Sequence, residues 1–332
     1  MTPLTRMLSR KSSVNARLPY NWNWQRRWEK LDDFLSTDRI VLVDVGARGV
    51  APPELESLRS YVRRIGFEPD LEECQRLSNT GNGEFFPMIV GGLGGAQRLN
   101  LYSDRDYSSV YELADRYTRL WLHGIEKDSS VEAEVVTLDS FVADHPDLCP
   151  DFLKLDVQGA ELAILQGGEQ TLQRTGLVEV EVEFAEMYRG QPLFHDIAAF
   201  MSNRGFELLY LNRGFATRRE VYDGPSRGQL ITGDALFGKT ESECRNMTVT
   251  QRAKYVILLV QLGHLDIAYQ LVAEDPTIEG VIPQIRSVFK ANRGNRWKRG
   301  ALMQFDKILA VLLHYRRYNQ LGTDSDRSWP IR

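Results

Sequence analysis

The sequence predicts an α/β protein, a doubly wound and mostly parallel sheet followed by a helical C-terminal appendage. Three observations predict it. Apolar runs of strand length alternate with helical spacing through about residue 238, as successive β-α units do. The first such run, "RIVLVDVGARG" (39–49), closes on glycines, which suits a buried parallel strand and its tight turn. Beyond Lys239 only helical spacing remains. The expected divisions are an N-terminal helical extension (1–37), the α/β domain (38–238) and the appendage (239–332).

Each element follows from local chemistry. Pro52 and Pro53 suit a helix start, where a missing N–H is harmless. "VRRIGFEPD" (62–70) reads as strand two, ending at Glu68 and stopped by Pro69. A helix of two turns then places Leu71, Cys74 and Leu77 on one side. "EFFPMIVGG" (84–92) is expected as strand three, despite the interruption at Pro87. "AQRLNLYSD" (96–104) alternates at period two, as a hairpin arm does, and "AEVVTLDSF" (133–141) is another strand. Asp139 and Ser140 can cap the short helix after it. "FLKLDVQGAE" (152–161) gives strand four and a helix start, and "LVEVEVEF" (177–184) gives strand five. "FHDIAAFMSNRG" is a helix ended by Gly205, and "FELLYL" and "GQLITGDALF" are the final strands. "AKYVILLVQLGHLDIAYQLVAED" and "FDKILAVLLHYRRYNQL" are amphipathic helices of a small bundle or cap.

The composition is that of an ordinary globular protein, with 42% hydrophobic and 26% charged residues. Charge is unevenly placed. Residues 1–30 carry seven Lys and Arg against one acid, and 281–332 carry eleven against three, leaving an acidic middle. Such basic ends suit self-contact with the acidic body, or an anionic partner. Nothing in the sequence points to nucleic acid. Cys74, Cys149 and Cys244 include no C-x-x-C pair and are odd in number, which argues against a disulfide framework or zinc cluster. No apolar signal-peptide core lies near Met1, and the apolar stretch at 255–262 is too short for a bilayer. The expectation is a soluble cytoplasmic protein.

A strand-glycine-helix opening followed by an acid at the end of strand two has two common meanings. One is a dinucleotide site, with Glu68 on the ribose and the pyrophosphate at a helix start. The other is an S-adenosylmethionine site, with the same ribose contact and a cationic amino acid instead of phosphates. Asp44 favours the second, because its charge would repel a pyrophosphate and attract an ammonium or sulfonium. "GARG" also lacks the middle glycine of G-x-G-x-x-G.

"VLVDVGARG", "IGFEPD", "VVTLDSF", "FLKLDVQGAELAILQGG", "VEVEFAEMYRGQPLF" and "GFELLYL" together resemble the FkbM-type methyltransferases. The resemblance covers roughly residues 38–238. It implies a class I, Rossmann-like fold, S-adenosyl-L-methionine as cofactor, and usually O-methylation of a sugar, glycan or secondary-metabolite hydroxyl. By position it implies that Asp44, Gly46 and Gly49 form the first glycine motif and that Glu68 is the ribose acid. Arg48 stands where many members have His. Ser108 and Ser109, in "DYSSVYE", match a serine pair common in the family, with Ser109 a candidate cofactor contact and a helix cap the simpler role.

Methyl transfer from a sulfonium is an in-line displacement, so positioning supplies much of the rate. A hydroxyl acceptor also needs its proton removed as the bond forms. Asp156 and Glu183, each at the carboxyl end of a strand, are candidate bases, and Asp156 can instead contact cofactor or cap the next helix. Glu161 is expected only to favour the helix dipole. His195 follows the loop after strand five, where substrate would enter, and is a third candidate base. Tyr188 and Arg189 are candidate substrate contacts. An Asp156/Glu183 pair could take Mg²⁺, but no third acid stands beside it in sequence, so no metal is assigned. If strands four and five end level, Lys154 lies beside Glu181, with Asp156 and Glu183 side by side at the mouth. The rival readings are a nicotinamide-dependent oxidoreductase and a catalytically degenerate scaffold.

Overall fold

A computed structural model describes residues 32–49, 52–122, 124–218 and 228–293. The helices expected before residue 32 and over 305–321, and most of the basic ends, lie outside the described residues. The central sheet has seven strands in the order β3-β2-β1-β7-β8-β10-β9. They are β1 (Ile40–Val45), β2 (Val62–Phe67), β3 (Glu84–Phe86), β7 (Phe152–Leu155), β8 (Leu177–Glu183), β9 (Phe206–Ala216) and β10 (Gln229–Lys239). Pairing is parallel from β3 through β8. Strand β10 runs antiparallel to both β8 and β9, so it alone is reversed. All six residues of β1 are buried, as a central strand covered on both faces requires.

Alternation along the strands divides the core. Val41, Val43, Leu153, Leu155, Val178 and Val180 face the helices Glu161–Gln166 and Phe194–Ser202, through Ile164, Leu165, Ile197 and Met201. Ile40, Leu42, Phe152, Leu177 and Leu236 face the other way, against the helix Val249–Gln261. Ala253 through Val260 of that helix are all buried, so it is a central helix covered on every side rather than an amphipathic cap. The helices beyond Lys239 thus share one core with the sheet.

Pro87 divides the expected third strand. It cannot donate to a ladder, and the chain leaves β3 there to form β4 (Ile89–Val90) in a second sheet. That sheet, ordered β4-β6-β5, is completed by the antiparallel pair β5 (Gly95–Tyr102) and β6 (Lys127–Val136). It carries residues 103–122 over the carboxyl end of the main sheet. Asp139 serves a helix other than its own: Thr137 caps Leu138–Asp144, while the Asp139 carboxylate accepts the Gln170 and Thr171 N–H groups. Among the described residues no helix is long and apolar enough to cross a membrane.

One buried cation fastens the central helix to the sheet. Lys254 Nζ donates to Asp38 at 2.6 Å, to the Arg39 carbonyl at 2.8 Å and to Asp151 at 3.1 Å. Asp151 also accepts the Val41 N–H at 2.8 Å. Removing one partner of a buried ion pair leaves the other charge stranded. Lys254→Met is therefore expected to lose about 3–5 kcal/mol of stability. Denaturant unfolding reads this directly, and adding Asp151→Asn should recover part of the loss.

Candidate active site

The strands β1, β2 and β7 end on one side of the sheet, and the turns that follow them build a cleft there. Gly46, at φ +79°, turns the chain out of β1. A Cβ at Gly46 would lie 2.0 Å from the Asp156 carbonyl oxygen, so only glycine lets the two turns touch. The turn after β7 holds Gln158 at φ +62° and Gly159 at φ +104°. Gly46, Arg48, Glu68, Asp70, Arg105, Asp106, Ser108, Asp156 and Gln158 line the cleft, with Phe67, Met88, Val90 and Leu101 as its apolar wall.

Glu68 occupies the end of β2 as expected. Its carboxylate accepts the Asp70 N–H at 3.0 Å and lies 3.6 Å from the Arg48 guanidinium. Burial pushes its carboxyl above the usual range. Arg48 also meets Asp70 at 3.0 Å, so it bridges two acids at the cleft wall. Asp70 caps the helix Leu71–Ser78 by accepting the Glu72 and Glu73 N–H groups. Gly49, at φ +95°, has open space around it and does not line the cleft.

Asp44 corrects the sequence reading. It is buried, and its carboxylate accepts two hydrogen bonds from Arg64, at 2.6 and 3.1 Å. Lys154 Nζ lies 3.7 Å from its other oxygen. Asp44 therefore faces two cations inside the sheet rather than the cleft, where it was expected to meet a cationic ligand. The signal was available: Arg64 lies two residues before Gly66, the partner of Asp44 in register, and so shares its face.

The serine pair is corrected too. Ser109 is buried, donates to the Gln158 carbonyl at 2.6 Å and accepts the Tyr111 N–H at 3.0 Å. It braces the turn. Ser108 faces the cleft, and its buried hydroxyl has no hydrogen-bond partner among the described residues.

The carboxylates after β7 and β8 are separated by register. Lys154 pairs with Glu179, not Glu181, and Leu155 with Val180, so β8 runs three residues past β7. Lys154 Nζ instead reaches Asp156 at 3.3 Å. Asp156 lines the cleft. Glu183 does not: it is fully buried, with one oxygen accepting from Gln191 at 2.7 Å and the other without a hydrogen bond among the described residues. Burial, reinforced by the charges of Glu161 and Asp156, raises its carboxyl well above the usual range. A base must reach the proton it removes, and Glu183 is not among the residues that line the cleft.

His195 does not line the cleft. The helix Phe194–Ser202 turns Ile197, Phe200 and Met201 inward, which leaves the His195 side chain 76% exposed beside Asp196. Tyr188 is fully buried, and Arg189 is paired at the surface with Asp115. Among the described residues no three His, Cys, Asp or Glu side chains converge as a metal site.

Glu161 is more than a helix-dipole partner. Its carboxylate accepts the Val157 N–H at 2.9 Å and the Gly159 N–H at 3.0 Å, closing the turn from inside. Burial, opposed by these bonds and reinforced by the Asp156 charge, pushes its carboxyl up to about 7. The unfolded carboxyl titrates near the ordinary value of about 4.3. Between these values the folded chain binds more protons, so this group's contribution is present at low pH and is lost as pH rises through about 7. Glu161→Gln should flatten that part of the stability profile between about pH 4.3 and about 7, measured by urea unfolding across the range.

Residues 46–208 match the family model described as the methyltransferase FkbM domain. No curated relative matches the sequence. Among solved structures, magnesium protoporphyrin IX methyltransferase from Synechocystis PCC 6803 with bound SAM is similar at 10% identity and a TM-score of 0.31, over 66% of this chain and 93% of that one. The same enzyme with bound SAH is similar at 9% identity and a TM-score of 0.32, over 65% and 84%. Over residues 46–208 the chain is thus similar to the methyltransferase FkbM domain.

Proposed function

We propose that this protein is an O-methyltransferase that binds S-adenosyl-L-methionine in the cleft and methylates a hydroxyl of a small molecule or glycan. The observation that carries the reading is Glu68, buried at the end of β2 beside the Gly46 turn, where a carboxylate can accept from both ribose hydroxyls. The lining suits the cofactor's charge. Glu68, Asp70, Asp106 and Asp156 face Arg48 and Arg105, an excess of acid that favours a cationic ligand and disfavours a pyrophosphate. The Ser108 hydroxyl, without a hydrogen-bond partner among the described residues, is a polar group that a ligand atom would satisfy.

When bound, S-adenosylmethionine would supply a methyl group on a sulfonium centre for transfer to an acceptor oxygen. The chain's own residues orient and screen that event. Gly46 and Gln158 shape the cleft floor, and the apolar wall of Phe67, Met88 and Val90 limits water. Asp156 presents a carboxylate from the end of β7, suited to attract positive charge or to take the acceptor's proton.

Calorimetry with the purified chain tests the reading. Wild type should bind S-adenosylmethionine and not NAD. Glu68→Ala removes acceptors for two ribose hydroxyls, each charged hydrogen bond being worth about 1.5–3 kcal/mol, and should weaken binding at least about tenfold. Absence of wild-type binding, or equal affinity in the variant, would overturn it.

A further inference from the structure

Glu68 accepts hydroxyl donors most strongly when it is ionised, yet its surroundings oppose ionisation. Its side chain is only 7% exposed. The charges of Asp70 and Glu73, on the chain that follows β2, add to burial in raising its carboxyl. Asp106 and Asp156 line the same cleft and bring more negative charge. Burial pushes the neighbouring Cys74 thiol up, so it stays neutral. Most nearby cations serve other acids. Arg76 gives two hydrogen bonds to Glu73, at 2.6 and 2.7 Å, Arg105 pairs with Asp128 at 3.0 Å, and Arg64 is bonded to Asp44. Arg48 is the arginine that stands beside Glu68.

The way Arg48 is held bears on what it can do. Its Nη2 donates to Asp70 Oδ2 at 3.0 Å, which sets its Nε 3.6 Å from Glu68 Oε2. That separation is beyond hydrogen-bond length but close enough for the charge to act. Glu68 Oε1 accepts the Asp70 N–H at 3.0 Å. Oε2 therefore faces a cation without spending a lone pair on it. We propose that Arg48 is a positioning residue for the ribose contact: anchored on Asp70, it keeps Glu68 charged while leaving Oε2 open to a ligand hydroxyl. The inference rests on the cofactor reading above and adds what keeps its key carboxylate ionised. A guanidinium suits the task, because it is charged at every working pH and its fork can bond one acid while facing another. Without it, burial, Asp70 and Glu73 act against Glu68 with only the Asp70 N–H in opposition, and the carboxyl takes up a proton as pH falls.

Arg48→Met keeps the length of the side chain and removes its charge. Calorimetry of S-adenosylmethionine and S-adenosylhomocysteine on wild type and variant reads the effect as an affinity ratio at each pH, in which the ligand's own titration cancels. The two proteins are expected to agree within about twofold at about pH 8. At about pH 6 the variant should bind about tenfold more weakly, the scale of one charged hydrogen bond. Both ligands carry the ribose, so both should show the slope. Arg48→Lys, which keeps a charge, should show a smaller one. Arg48→Gln is read as the methionine variant is, and replaces it if that chain does not fold. Set against Glu68→Gln alone, the double variant Arg48→Met/Glu68→Gln should give a flat ratio, because no carboxyl remains there to titrate. A ratio independent of pH in Arg48→Met, an equal slope in Arg48→Lys, or a slope that persists in the double variant would overturn the role of Arg48. Wild type that binds neither ligand would instead overturn the cofactor reading on which it rests.

Discussion

The contact on which the site depends is the approach of two turns, one leaving β1 and one leaving β7. The Asp156 carbonyl oxygen occupies the space where a side chain at residue 46 would begin. The Gly46 and Ala47 N–H groups are both directed to the Phe67 carbonyl at 3.0 Å, which draws the end of β2 into the same junction. Glu68 follows Phe67 directly, so the positions of Glu68 and Asp156 at the cleft are set together. A substitution at Gly46 would therefore act on both sides of the cleft at once.

Beneath that junction lies an unusual concentration of charge for the face of a central sheet. Asp44, Arg64 and Lys154 come from three neighbouring strands, and Arg64 and Asp44 are each almost fully buried. Buried charges are tolerated when they are paired and hydrogen-bonded; Arg64 gives two hydrogen bonds to Asp44 Oδ2, while Oδ1 has the Lys154 charge at 3.7 Å and no hydrogen bond among the described residues. Lys154 then links the inner pair to Asp156 at the surface of the cleft. Glu161 closes the same turn through backbone N–H groups, and Ser109 braces it from the other side. The turn after β7 is thus fixed by side chains from several elements, which accounts for a glutamine held in a left-handed conformation.

Much of the architecture was legible in the sequence because it depends on local pattern. The strands β1, β2, β7 and β8 are apolar runs closed by glycine, proline or a carboxylate, and each formed within a residue or two of its expected bounds. Glu68 and Asp156 were legible as residues at the cleft because each directly follows a parallel strand. What failed depended on register and on rotation about an element. Lys154 beside Glu181 assumed level strand ends, and β8 overruns β7. Ser108 and Ser109 are adjacent, so sequence could not tell which hydroxyl turns outward. His195 lies opposite the buried stripe of its helix, which the spacing of Ile197, Phe200 and Met201 already implied. Helix Val249–Gln261 was read as part of an appendage because its partners, Ile40, Leu42 and Phe152, lie far away in the chain.

The central claim is that the junction of the β1, β2 and β7 turns is where the cofactor binds. Amide hydrogen exchange with and without S-adenosylmethionine tests it on the intact chain. Added ligand is expected to slow exchange in residues 44–49, 66–70, 105–110 and 156–160, while the far end of the sheet is unchanged. Protection confined to other segments, with these four unaffected, would contradict the account.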